Sequence, residues 1–96
     1  MMKLVEEYVD GVKDEAESAM DYAEHYLVYK SGLPQVSVIY ADMAKQEIGH
    51  CENLINIGEQ MISKIAYVPE DDKDTWMKTK KHALEKVNVV RFMLSK

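Results

Sequence analysis

The sequence predicts an all-α protein: an antiparallel helical hairpin plus a third helix, completed to a four-helix bundle by dimerisation. Three observations carry this. Only two prolines and four glycines punctuate the 96 residues, and they gather where helices should end. Between them, apolar residues recur in steps of four and three, the seam of near-parallel helix packing. Three helices in one small domain, two of them about 30 residues long, make an incomplete bundle that a second copy would finish.

The first helix is expected near 2–30. Its stripe is Val5, Val9, Val12, Ala16, Ala19, Ala23 and Tyr26, one face of a 3.6-residue period. Ser31-Gly32-Leu33-Pro34 then reads as a helix stop, a short connection and a proline in the first turn of the next helix. The second helix is expected near 34–67, on the stripe Val36, Tyr40, Met43, Glu47, His50, Leu54, Ile57 and Met61. Tyr67-Val68-Pro69-Glu70-Asp71-Asp72 is the second break, with aspartates suited to capping. The third helix, near 72–95, repeats Trp76, Lys80, Ala83, Val87, Val90 and Leu94 and carries Val89, Phe92 and Met93 off that stripe.

Composition narrows the function classes. Apolar residues make up 47% and charged residues 30%, a soluble globular balance. No apolar run approaches the ~18 residues of a membrane helix, and Met1-Met2-Lys3-Leu4-Val5 begins no signal-peptide core. One cysteine, Cys51, permits no internal disulfide and no paired-cysteine metal site, so a reduced cytoplasmic setting is expected. The net charge is -5 and no basic run is long enough to track phosphates, which disfavours nucleic acid. Lys78, Lys80 and Lys81 read as a solvated face.

The chemistry sits in the second helix. Glu47 and His50 fall on consecutive positions of its stripe, between Met43 and Leu54. Unpartnered burial of a carboxylate and an imidazole costs several kcal/mol, so they either pair with something or bind something. Three residues apart, they share one helix face and can reach one metal ion together. Glu15 supplies a third member. It precedes the turn at Gly32 by about as many residues as Glu47 and His50 follow it. At ~1.5 Å per residue both sides lie about 25 Å from the turn, so an antiparallel hairpin sets them level. Glu15 sits about 60° from the centre of the first helix's stripe and Glu17 about 140° away. That favours Glu15 as the first-helix ligand, although one residue of helical drift would bring in Glu17.

Plainer readings stand beside this one. Glu47 and His50 can form a satisfied pair without a metal. The column Tyr8, Glu15, Tyr22, Tyr29 is more often packing than redox machinery, with Tyr22 able to support the site from outside. Cys51 reads as a small buried residue, His25 as solvated, and His82 with Glu85 as surface.

Glu15-Ala-Glu17-Ser-Ala-Met-Asp-Tyr22, followed by Ala44-Lys-Gln-Glu47-Ile-Gly-His50-Cys-Glu-Asn-Leu54, resembles the ferritin-like superfamily, in particular rubrerythrin cores and the half-ferritins typified by encapsulated ferritin. The resemblance spans the first two helices. It implies an iron site built from Glu15, Glu47 and His50, with Tyr22 beside it. The complete ferritin-like pattern has two single glutamates and two Glu-x-x-His pairs, and one chain carries half of that. No paired cysteines follow, so a rubredoxin-type module is not expected. Phe92-Met93-Leu94-Ser95-Lys96 resembles no encapsulin-targeting tail.

The expected function is therefore a di-iron carboxylate protein, a homodimer or multiple of dimers, that binds and oxidises Fe(II) at a site shared between two subunits. The alternative is a non-catalytic helical scaffold protein of ferritin-like ancestry with an inactive or zinc-filled site. A di-iron oxidoreductase with an organic substrate ranks third, because so small a bundle leaves little room for a pocket.

Overall fold

A computed structural model describes residues Met1–Lys96. It is all-helical, with α1 at Lys3–Tyr29, α2 at Pro34–Ser63 and α3 at Glu70–Leu94, in a rod of 53 × 17 × 16 Å. No helix is long and apolar enough to cross a membrane.

Helix α1 buries Val5, Val9, Val12, Ala16, Ala19 and Ala23, the stripe its periodicity predicts as far as Tyr26, which stays half-buried. Pro34 opens α2 at a position whose N–H has no intrahelical partner. The two helices run antiparallel: the Cys51 thiol meets the Val12 carbonyl at 3.8 Å, and Leu54 packs over Gly11. Because α1 packs broadly on both other helices while α2 and α3 touch lightly, α1 is the spine of the molecule.

Helix α3 closes one side. Pro69 is its N-cap residue and Glu70, Asp71 and Asp72 fill its first turn, where negative charge meets the positive end of the helix dipole. The capping expected of the aspartates is not made: no side chain caps α3. Asp72 is buried and instead accepts a 2.8 Å hydrogen bond from the Met2 N–H, pinning the start of α1 to the start of α3. The stripe of α3 is Trp76, Thr79, Ala83, Val87 and Val90. Lys80, expected on it, instead reaches Glu59 of α2, which also accepts from the Trp76 indole at 3.2 Å.

Two expectations for α2 need correction. It ends at Ser63 rather than near 67, tightening through Lys64 and Ile65 N–H bonds to Met61 and Ile62 carbonyls. The chain then turns so that Val68 is buried and Ile65 half-buried at the end of the bundle. The core stripe of α2 is also one residue out of phase with the expected one: Ser37, Ala44, Ile48, Cys51, Ile55 and Gly58 are buried. Four of these six residues are small, and at Gly58 close approach leaves no room for anything larger. At Gly58 the Trp76 ring would lie 2.5 Å from an added Cβ. The expected stripe, Glu47 and His50 included, therefore lies on the flank of the core, not in it. Val36, Tyr40, Met43 and Leu54 are half-buried there, and Ile57 and Met61 exposed.

Candidate functional site

The α2 flank continues across the hairpin onto α1, where Tyr8, Glu15 and Tyr22 are half-buried on the adjoining edge. Together they form one long face turned away from α3. It is apolar along most of its length, with a polar cluster near its middle.

That cluster is Glu15, Glu47 and His50. Each offers one ligand atom, and these atoms all lie within 4.8 Å of one another. His50 Nδ1 stands 3.6 Å from Glu15 Oε2 and 3.5 Å from Glu47 Oε1. The hairpin makes the arrangement: Glu47 and His50 are three apart on α2, and the antiparallel register brings α1 level at Glu15. Side-chain exposure is 28% for Glu15, 21% for Glu47 and 58% for His50. The carboxylates are thus recessed and the imidazole closes the cluster from outside.

Glu15 Oε2 is the one buried side-chain polar atom in the chain without a hydrogen-bond partner. An orphaned buried acceptor calls for a proton or a cation. A hydrogen bond between the Glu15 and Glu47 carboxyls, then burial, then the like charge of Glu47 push Glu15 above the usual glutamate range, while His50 pulls the other way. Two carboxyls and an imidazole are a donor set that could hold a cation of the iron or zinc type.

Glu17 is not part of the cluster. It lines a groove of about 560 Å³ between α1 and α3 with Lys13, Lys78 and Lys86, so of the two glutamates only Glu15 stands beside Glu47 and His50. Tyr22 makes no hydrogen bond to the three and packs on Tyr40, with ring centroids 6.2 Å apart. Cys51 is buried next to the site, its thiol pushed up to about 11, first by desolvation, so it is an inert packing residue. His82 and Glu85 are exposed and 3.9 Å apart, a surface pair.

Sequence reasoning missed an aromatic cluster at the turn end of the same face. Tyr40 stacks on His25 at 4.9 Å and on Tyr29 at 5.7 Å as well as meeting Tyr22. The signal was present in the spacing: Tyr22 follows Glu15 by the same two turns by which Tyr40 precedes Glu47, so the hairpin sets the rings level.

No protein-family model, curated protein or solved structure matches the chain. What fold and site define is a three-helix protein carrying a recessed two-carboxylate, one-imidazole cluster on an unpartnered helical face.

Proposed function

We propose that the protein binds Fe(II) through Glu15, Glu47 and His50 and oxidises it, at a site that two subunits complete. The observation that carries this is the orphaned Glu15 oxygen within a cluster whose three ligand atoms lie inside 4.8 Å. An orphaned buried oxygen takes either a proton or a cation, and Glu47 and His50 stand close enough to supply the further donors a cation needs.

The position of the cluster supports the second subunit. Two donor helices form only half of a ferritin-like set. Their shared face carries Leu54, Ile57, Met61 and Met43 around the polar centre, and Ile57 and Met61 are 47% and 40% exposed. A two-fold copy docked on that face doubles the donors to four carboxylates and two imidazoles, removes apolar surface from water and shields the centre.

The roles of the chain's own groups follow. Glu15 and Glu47 present hard oxygen donors that favour the ferric state, and His50 adds an imidazole suited to ferrous iron. Iron is here the substrate; paired in the dimer, two ions can deliver two electrons to dioxygen or peroxide together. Glu15, like the other ligands, must be deprotonated to bind the cation. The exposed imidazole edge gives the ion its way in before the second copy docks, and the docked copy then keeps competing water from the ligands.

Anaerobic titration with Fe(II), followed by admission of oxygen, tests the proposal by absorbance. Saturable binding and a rapid oxidation burst without any organic substrate are expected. Saturable zinc binding with no iron oxidation would favour the scaffold reading instead.

A further inference from the structure

The groove of about 560 Å³ between α1 and α3 lies on the side of α1 away from the cluster, and Lys13, Lys78 and Lys86 line it. The chain as a whole is acidic, with 12 lysines and arginines against 17 aspartates and glutamates, yet three lysines share this one groove. None of the three makes an ion pair within the chain, and Lys86 is half-buried. Glu17, the one acid on the wall, makes no ion pair either, so the groove keeps a positive balance. A second observation comes from its floor. Thr79 lines the groove and is only 5% exposed. A helical threonine can return its hydroxyl to the carbonyl four residues back, as Thr75 does to Asp71 at 2.9 Å. The Thr79 hydroxyl makes no hydrogen bond within the chain. It is not sealed from solvent, since the one such orphan is Glu15 Oε2, so it opens on the groove. Buried polar groups are ordinarily hydrogen-bonded, and the partner open to this one is whatever occupies the groove.

We propose that the α1–α3 groove is a binding site for a linear triphosphate, held by Lys13, Lys78 and Lys86 and by the Thr79 hydroxyl. Lysine holds phosphate oxygens as a compact point charge. Lys78 and Lys86 lie eight residues apart on α3, about 12 Å along its axis, and Lys13 comes from the α1 wall. A single phosphate reaches both α3 lysines only if their side chains lie down along the helix. A chain of linked phosphates instead spreads its charge over the whole span. Thr79 lies between the two lysines in the helix and donates to an oxygen near the middle of that chain, and His82, also on the wall, offers a ring N–H. Glu17 opposes every anion, so it discriminates against ligands of low charge, which gain less from the lysines. No phenylalanine, tyrosine or tryptophan lines the groove, so a nucleotide base finds no stacking surface there. The triphosphate is therefore the recognised group, whether inorganic or the tail of a nucleoside triphosphate. This site stands apart from the iron reading, on the opposite face of α1.

Isothermal titration calorimetry of the intact, metal-free protein with sodium tripolyphosphate tests the site. Saturable binding of one triphosphate per chain is expected, with orthophosphate at least tenfold weaker and adenosine triphosphate no tighter than the inorganic ion. Lys86→Gln should weaken binding about tenfold, the scale of one charge-assisted hydrogen bond, and Lys13→Gln, Lys78→Gln and Thr79→Val several-fold each. Glu17→Gln should tighten it several-fold. Lys81→Gln is the control: it makes the same change of net charge on an exposed residue of α3 outside the groove, and should leave the affinity within twofold of the parent. Circular dichroism confirms that each variant is folded. Absence of saturable binding, orthophosphate as tight as triphosphate, or equal losses in Lys81→Gln and Lys86→Gln would each overturn the site. A marked preference for adenosine triphosphate would overturn the assignment of the triphosphate as the recognised group. None of these results bears on iron, since the protein is metal-free throughout.

Discussion

The Glu15 carboxylate on α1 and the His50 imidazole on α2 stand 3.6 Å apart, joined only through the fold of the hairpin. His50 also lies 3.5 Å from Glu47 one turn away, so the imidazole stands against both carboxyls at once. A single relationship thus reports both the register of the hairpin and the electrostatics of the site.

If these three side chains are the ligands, their removal has a recognisable pattern. Glu15→Ala, Glu47→Ala and His50→Ala should each abolish tight iron binding and the oxidation burst, since each deletes two donors from a two-fold site. Metal-free stability should hold or rise in Glu15→Ala, because an unpartnered buried acceptor has gone. Glu17→Ala, on the α3 side of α1, should bind iron like the parent. Iron titration of the four variants checks this; loss of binding in Glu17→Ala alone would contradict the site.

The pH dependence of the metal-free protein follows from Glu15. Its carboxyl titrates above the usual range, first through the hydrogen bond with Glu47. The stabilisation this gives is fully present below the ordinary glutamate pKa and is lost as pH rises through the raised value. Glu15→Gln cannot ionise, so its melting temperature should gain on the parent's as pH is raised through that window. With iron bound the trend reverses, because ligands must be deprotonated and acid releases the metal. Parallel metal-free melting curves for the two proteins at all pH values would refute the coupling.

Packing between α2 and α3 depends on one small residue. A Cβ at Gly58 would meet the Trp76 ring at 2.5 and 2.8 Å, and the ring is buried and anchored to Glu59. Gly58→Ala should therefore destabilise the protein by about 1–3 kcal/mol, as overpacking does, despite the better helix propensity of alanine. Urea unfolding measures it. A gain in stability would mean the ring moves freely.

Much of this was legible in the sequence, and the exceptions have physical causes. Helix α1 was readable because its Val and Ala stripe is both the apolar face and the packed face. In α2 the two separate. The larger apolar residues Met43, Leu54, Ile57 and Met61 form a stripe that hydrophobicity alone assigns to the core, yet the packed face is Ser37, Ala44, Ile48, Cys51, Ile55 and Gly58, four of them small. A one-residue phase error followed, and it concealed that Glu47 and His50 lie on an open face. The Glu15 level was readable because helical rise is constant on both sides of a short turn. The level of Tyr22 and Tyr40 was readable in the same way, but the ring contacts of Tyr40 were not, since they depend on side-chain rotamers that spacing does not fix.

The central claim, an iron site completed by two copies of this chain, is tested most directly by native mass spectrometry during anaerobic Fe(II) titration. The account predicts a dimer that gains two iron ions together and is favoured over the monomer as they bind, with neither the iron nor that shift in His50→Ala. A monomer that takes up iron as a single ion, or a dimer that loads equally well without His50, would contradict it.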